Sequence, residues 1–195
     1  MSEAGDVTIL LDRIGGGDEL AVRDLYRVVY DRLRERAQSH LSGERKDHTL
    51  QATALVHEAF LKLSGRNATR WRNSQHFYNA VSEAMRQILL DHARRYRSLK
   101  RGGNRKRVPL DEYGGPQHDL GPDGIDAEAL ERALVQLGKE DPRRHQVVMY
   151  RYFAGLPERQ IGAILSISEK TVRRDWQASK LFLLKEMAGD LPTAP

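Results

Sequence analysis

Residues 157–184 read PERQIGAILSISEKTVRRDWQASKLFLL, and this stretch decides the fold. Pro157 suits the first turn of a helix, where its missing N–H has no partner to lose. Ile161, Ile164 and Leu165 then recur at helical spacing and give that helix an apolar face. Gly162 is small where a second helix must cross closely. Ser166, Ile167 and Ser168 make a short turn, and Ser168 is placed to cap the helix that follows. In that helix Val172, Trp176 and Leu183 face back toward the first. Two short helices around such a turn form a helix-turn-helix, whose second helix lays its N-terminal residues against base edges in the major groove. Opposite Val172 and Trp176 lie Lys170, Thr171, Arg173, Arg174 and Gln177. Arginine can bridge two acceptors on guanine and glutamine can pair with adenine, while lysine and threonine can hold phosphates. A plain helical hairpin with a solvated charged face is the simpler alternative. Small residue, turn, cap and basic face occurring in one order favour the DNA-binding reading.

Upstream of this stretch the patterning is also helical. An apolar segment, 7–14, ends at Gly15-Gly16-Gly17, and an amphipathic stretch follows from about Asp18 to Leu41. In it Leu20, Leu25, Val28, Val29, Leu33 and Ala37 recur near helical spacing. A third helix is expected over Gln51–Leu63, with Leu55, Val56, Ala59, Phe60 and Leu63 on one face. Ser64–Ser74 is polar and reads as a loop. Gln75–Lys100 reads as a long helix stopped by Gly102-Gly103. Residues 102–126 carry Pro109, Gly114-Gly115-Pro116 and Gly121-Pro122 with almost no apolar periodicity, and read as a flexible linker. Helical patterning resumes with Ala127, Leu130, Leu134 and Leu137. The expected fold is therefore all-α: two small helical domains, 1–101 and 127–195, joined by the linker 102–126.

Composition narrows the function. The chain has 195 residues, 39% hydrophobic and 30% charged, with no cysteine. That rules out a disulfide scaffold and any cysteine-ligated metal site. The first residues show no signal-peptide pattern, and no apolar run approaches the roughly 20 residues that span a bilayer. His57-Glu58 begins like the zinc motif HExxH, but position 61 is Leu61, so no histidine pair forms at i, i+4. There is no P-loop and no GxSxG motif, and the histidines are scattered. The expectation is a protein that is not an enzyme and needs no cofactor or metal.

The net charge is +5 and the isoelectric point about 9.5. Residues 94–107 read RRYRSLKRGGNRKR, strongly basic with no acid, whereas 108–131 hold several acids and neither lysine nor arginine. This polarity suggests a phosphate-binding stretch followed by a solvated linker. A basic helix end favoured by the helix dipole would read the same way locally, although one helix end does not need so many cations.

With these residues in view, the chain resembles the sigma-70 family of RNA polymerase sigma factors. RYFAGLPERQIGAILSISEKTVRRDW (151–176) is similar to region 4, which reads the −35 promoter element, with Ser166 in place of the glycine usual in the turn. ALVHEAFLKL (54–63) resembles the polymerase-docking helix of region 2, often written DLVQEVFLRL. HFYNAVSEAMRQILLDHARRYR (76–97) resembles the −10 recognition helix, whose usual ending is N-x-x-x-D-x-x-R-R. Asp91, Arg94 and Arg95 fit that ending; Gln87 stands for the usual asparagine and Ala80 for the usual tryptophan. Regions 1.1 and 3 have no counterpart, which points to the small extracytoplasmic-function (ECF) type, and within it to a subgroup reading LQATALVHEA.

The resemblance implies core RNA polymerase, at its clamp coiled coil and flap, and promoter DNA as partners, an anti-sigma factor as a further one, and a cytoplasmic location. It implies polymerase contact through Gln51, Ala54, Leu55, His57 and Glu58. It implies −10 contacts through Trp71, His76, Tyr78, Asn79, Glu83, Arg86, Gln87, Arg94 and Arg95, since flipped bases need stacking surfaces and hydrogen-bond partners. Phe77 reads as core instead. The −35 set is Lys170, Thr171, Arg173, Arg174 and Gln177. A stand-alone helix-turn-helix regulator remains the alternative.

One departure suggests regulation. Many relatives carry the acidic run DAED just before the docking helix, where this chain has Gln51, Ala52, Thr53 and Ala54. A phosphate on Thr53 would restore about −1.5 to −2 charges near a helix N-terminus. The sequence therefore suggests a Ser/Thr kinase acting on Thr53, with Thr49 the nearest other acceptor.

Overall fold

A computed structural model describes residues 3–41, 52–67, 71, 73–99 and 127–189, and these form helices and turns only. The expected linker 102–126, together with Thr49 and Gln51, lies outside the described residues. The N-terminal unit comprises α1 (Glu3–Gly15), α2 (Glu19–Leu41), α3 (Ala52–Asn67) and α4 (Ser74–Leu99). The C-terminal unit comprises α5 (Ala127–Glu140), α6 (Pro142–Val148), a π-helical segment (Met149–Phe153), α7 (Glu158–Leu165) and α8 (Glu169–Gly189).

Local sequence explains these elements. Asp18 caps α2: its Oδ1 accepts from the N–H groups of Leu20 at 3.0 Å and Ala21 at 3.3 Å, satisfying donors that a helix start leaves free. Ala21, Leu25, Val29, Leu33 and Ala37 are all buried, one every four residues. Leu20, expected on that face, is instead exposed, because the stripe runs one residue later through Ala21. Asp141 caps α6 through the Arg144 N–H at 3.0 Å, with Pro142 in the first turn. Helix α3 continues through Ser64–Asn67, where the sequence suggested a loop. Its poor helix formers follow a well-buried Leu63 without a proline to stop them, so the helix carries on.

Each unit has an aliphatic centre. Leu33, Leu55, Val56, Ala59, Val81 and Met85 fill the first; Leu130, Leu134, Leu137, Val147, Ile161 and Leu183 fill the second. The two centres belong to one continuous apolar cluster. The π segment and helices α5 and α7 pack on α4, and α7 also meets α1.

The seam between the units is polar and paired. Gln160 of α7 is 4% exposed; its Oε1 accepts from Arg32 Nη1 of α2 at 2.8 Å, and its Nε2 donates to Tyr78 Oη of α4 at 2.9 Å. The Tyr150 hydroxyl donates to Asn79 Oδ1 at 2.6 Å. Arg36 donates from Nε to the Tyr152 carbonyl and lies over the Tyr152 ring, 5.3 Å from its centroid. Arg86 Nη1 donates to Glu131 Oε1 at 3.1 Å. Gly155, at φ +69°, brings the chain against Arg32 and Arg36 so closely that an added Cβ would sit 3.4 Å from Arg36 Cβ.

Candidate nucleic-acid interface

The C-terminal hairpin is built by a close approach and a left-handed turn. A Cβ on Gly162 would stand 2.7 Å from the Ile167 carbonyl oxygen, so only glycine admits the crossing. Ser166 closes α7 at φ 55°, ψ 42°, the conformation in which glycine is commonest. The Ser168 hydroxyl accepts from the Thr171 N–H at 3.1 Å and lies 2.8 Å from the Thr171 hydroxyl, which starts α8.

Burial then sorts α8 into two faces. Val172, Asp175, Trp176, Ser179 and Leu183 are buried. Asp175 is fully buried and accepts from Arg143 Nε at 2.8 Å, tying α6 to α8. Trp176 lies beneath Arg151 and Lys180, whose charges stand 5.2 and 5.8 Å from its ring centroid. Lys170, Arg173, Arg174 and Gln177 are exposed together, with Thr171 half-buried at their edge. The structure thus gathers the expected −35 set onto one outward cationic face. Glu158 of α7 orders that face: its Oε2 accepts from Arg173 Nη2 at 2.8 Å and Nε at 3.1 Å, and its Oε1 from Arg151 Nη1 at 2.6 Å. Burial works against ionisation of Glu158, but the hydrogen bonds and charges of Arg173 and Arg151 outweigh it and hold the carboxyl below its usual value.

The expected −10 set is not gathered in the same way. Trp71 is half-buried and packs edge-on against Phe77 at 5.6 Å and His76 at 5.4 Å, so it belongs with the core rather than standing out as a stacker. Tyr78 is 1% exposed, which corrects the expectation of a ring open to a base. Phe77 is core, as expected. Asn79 is bonded to Tyr150, and Glu83 is engaged by Arg86 Nη2 at 2.7 Å and Gln87 Nε2 at 2.8 Å. His76 and Gln87 remain exposed. Arg94 and Arg95 fall on α4, but their side chains lie outside the described residues.

On α3, Thr53, Ala54, His57, Leu61 and Lys62 are exposed and Glu58 is half-buried. Leu55, expected to touch the polymerase, is fully buried in the core, because it lies one position off the outward stripe. Leu61 takes its place as the large apolar side chain of that stripe, 60% exposed and four residues beyond His57. The helical period could have picked it out, but an isolated leucine reads as core.

No group of histidine, aspartate and glutamate able to hold a metal occurs among the described residues, and no helix there is long and apolar enough to cross a membrane.

The α7–α8 hairpin of this all-helical protein presents a cationic face of the kind that attracts phosphates. The model of the ECF sigma factor family matches residues 4–189, nearly the whole chain, and the chain belongs to that family. It is a sigma factor that directs transcription initiation, with core RNA polymerase and promoter DNA as its partners. None of the curated proteins matches the chain.

Proposed function

We propose that this sigma factor reads −35 duplex DNA through Lys170, Thr171, Arg173, Arg174 and Gln177, and opens the −10 element through α4. It docks on polymerase through the outward stripe of α3, Ala54, His57, Glu58 and Leu61. It works by binding alone, without enzymatic chemistry, in the cytoplasm where polymerase is found. The observation that carries this reading is the division of α8 into a buried Val172–Trp176 face and an exposed cationic one.

The same reading makes Thr53 a switch. Thr53 is exposed in the first turn of α3, which contains no acid. A phosphate there meets the favourable end of the helix dipole and supplies the charge that a basic polymerase surface would attract. The missing acidic run before the docking helix, where the chain has Gln51, Ala52, Thr53 and Ala54, supports a Ser/Thr kinase as the agent, and an anti-sigma factor is a further partner of the kind the family uses.

The test is binding to core RNA polymerase in moderate salt, with the protein unmodified and phosphorylated at Thr53. Tight binding only after phosphorylation supports both parts. Tight binding without it removes the switch and keeps the docking. Binding in neither state, with specific binding to a palindromic duplex, favours a stand-alone regulator instead.

A further inference from the structure

We propose that Glu169, the residue that opens α8, determines specificity: its carboxylate accepts a hydrogen bond from the exocyclic amine of a cytosine in the −35 duplex. The proposal rests on the reading of α8 as the recognition helix and assigns it a base.

Glu169, Arg173 and Gln177 follow one another four residues apart and are all exposed, so they form one stripe along α8. Glu169 stands at the N-terminal end of that stripe, the end that meets base edges in a helix-turn-helix. A negative charge on a surface that meets phosphates works against binding, so its place there needs a cause. Capping is not the cause. The Ser168 hydroxyl already accepts from the Thr171 N–H at 3.1 Å and lies 2.8 Å from the Thr171 hydroxyl. The acid of a capping box stands three residues after the cap, a place that Thr171 holds, whereas Glu169 follows Ser168 directly. Ion pairing is not the cause either. Arg173 lies one turn on, at a spacing where opposite charges pair, but it gives Nη2 at 2.8 Å and Nε at 3.1 Å to Glu158 of α7. The Glu169 carboxylate makes no hydrogen bond or salt bridge among the described residues. By holding Arg173, Glu158 leaves Glu169 free to accept from a ligand. The dipole of α8 favours an acid in its first turn, and a glutamate present for that reason alone would affect stability and no particular base.

The base follows from the atoms. An ionised carboxylate accepts and never donates. In the major groove guanine shows the acceptors N7 and O6, and thymine an acceptor and a methyl group; only cytosine N4 and adenine N6 donate. Adenine sets the N7 acceptor beside its amine, where it repels the second carboxylate oxygen, and cytosine carries no acceptor on that edge. Cytosine is therefore the partner that a carboxylate at this place selects.

The α8 face is exposed in the chain, so the experiment uses the full-length protein: wild type, Glu169→Gln, Glu169→Ala and Arg173→Ala. Each is used to select from duplexes randomised over the −35 window. Fluorescence anisotropy on single-base variants of the selected duplex, and melting temperatures, follow. Wild type should enrich cytosine at one position and lose about tenfold in affinity when thymine, with a carbonyl in place of the amine, stands there. Glu169→Gln, whose amide both donates and accepts, should reduce that preference to within about twofold and keep every other position. It should also bind non-cognate duplex about two- to threefold more tightly, because a charge that repels phosphates is gone. Glu169→Ala should lose the same preference.

Unchanged preference at every position in Glu169→Gln, or one uniform loss across all duplexes with a lower melting temperature, would overturn the role of Glu169 and leave α8 as the reader. Adenine enriched at the position that Glu169→Gln relaxes would overturn cytosine as the partner. If wild type enriches no sequence, or Arg173→Ala enriches the same one as wild type, α8 is not the reader, and the proposal falls together with the reading beneath it.

Discussion

Glu158 and Arg173 face each other across the helix-turn-helix, with Arg173 donating both Nε and Nη2 to a single carboxylate oxygen. A guanidinium held this way loses less rotational freedom on binding. Arg173→Ala should weaken the −35 duplex about tenfold and flatten discrimination at one base pair. Glu158→Gln should keep overall affinity within a few-fold but lower that discrimination, since the positive charge stays and its aim is lost. Fluorescence anisotropy on a panel of single-base variants of the duplex checks both. Equal discrimination in wild type and Glu158→Gln would show that the pair only stabilises the fold.

Gln160 bridges Arg32 and Tyr78 at a site almost without solvent. Gln160→Leu removes both of these bonds across the seam. The expected cost is about 1–3 kcal/mol, a fall of roughly 2–12 °C in melting temperature for a chain of this length melting as one. Calorimetry decides, and a second, separate transition would mean that the two units had uncoupled.

The turn between α7 and α8 makes two opposite predictions. Gly162→Ala forces a methyl to 2.7 Å from the Ile167 carbonyl, so the hairpin must shift, at a cost of about 1–3 kcal/mol. Ser166→Gly puts the favoured residue at a left-handed position, φ 55°, and should stabilise by about 1 kcal/mol. Urea titration of the two variants should move the midpoint in opposite directions.

His145 gives the seam a dependence on pH. Burial lowers its imidazole below the usual 6.5, the Arg86 charge lowers it further, and Glu83 partly offsets them. Arg86 and Glu83 face it from α4, and Gly138 of α5 packs beneath the ring. The unfolded chain then binds a proton that the folded chain resists, so stability rises with pH across that interval. The contribution is full above about pH 6.5 and is lost as pH falls toward the depressed folded value. His145→Gln should remove the slope that sets in as pH falls below about 6.5. Glu83 and Glu158, both held below their usual 4.5, lose their contributions only at lower pH, so urea midpoints measured against pH separate the two effects.

Much of the fold could be read from residue spacing. The four-residue recurrence in α2, the glycines after α1, and the small residue, turn and cap of the hairpin are local signals whose physical cause is local too. The α8 face was legible for the same reason: a helix of known phase with one apolar stripe leaves the other side defined. A phase error of a single residue explains Leu20, read as buried and found exposed, whereas Leu55 lies on the apolar face its spacing marks, and only the resemblance had turned it toward the polymerase. The π segment was not legible, because VVMYRYF is apolar but for Arg151 and no periodicity distinguishes its winding. The seam was beyond reach. Arg32 and Gln160 lie 128 positions apart and Tyr150 and Asn79 lie 71 apart, and such pairings depend on how two finished units meet. Tyr78 and Asn79 consequently looked free to bind DNA.

The placement of aromatic side chains gives each part of the molecule its own optical signature. The chain's two tryptophans are Trp71, packed on Phe77 in the first unit, and Trp176, beneath Arg151 and Lys180 in the second. Parting the units leaves both indoles in their own cores. Tyr78, Tyr150 and Tyr152, by contrast, lie buried where the units meet, and parting moves their phenols from a fixed, dry setting into water. A separation of the units should therefore register in the tyrosine absorption and near-ultraviolet dichroism more than in tryptophan emission, whereas unfolding should change both. The natural protein carries its own means of telling the two apart.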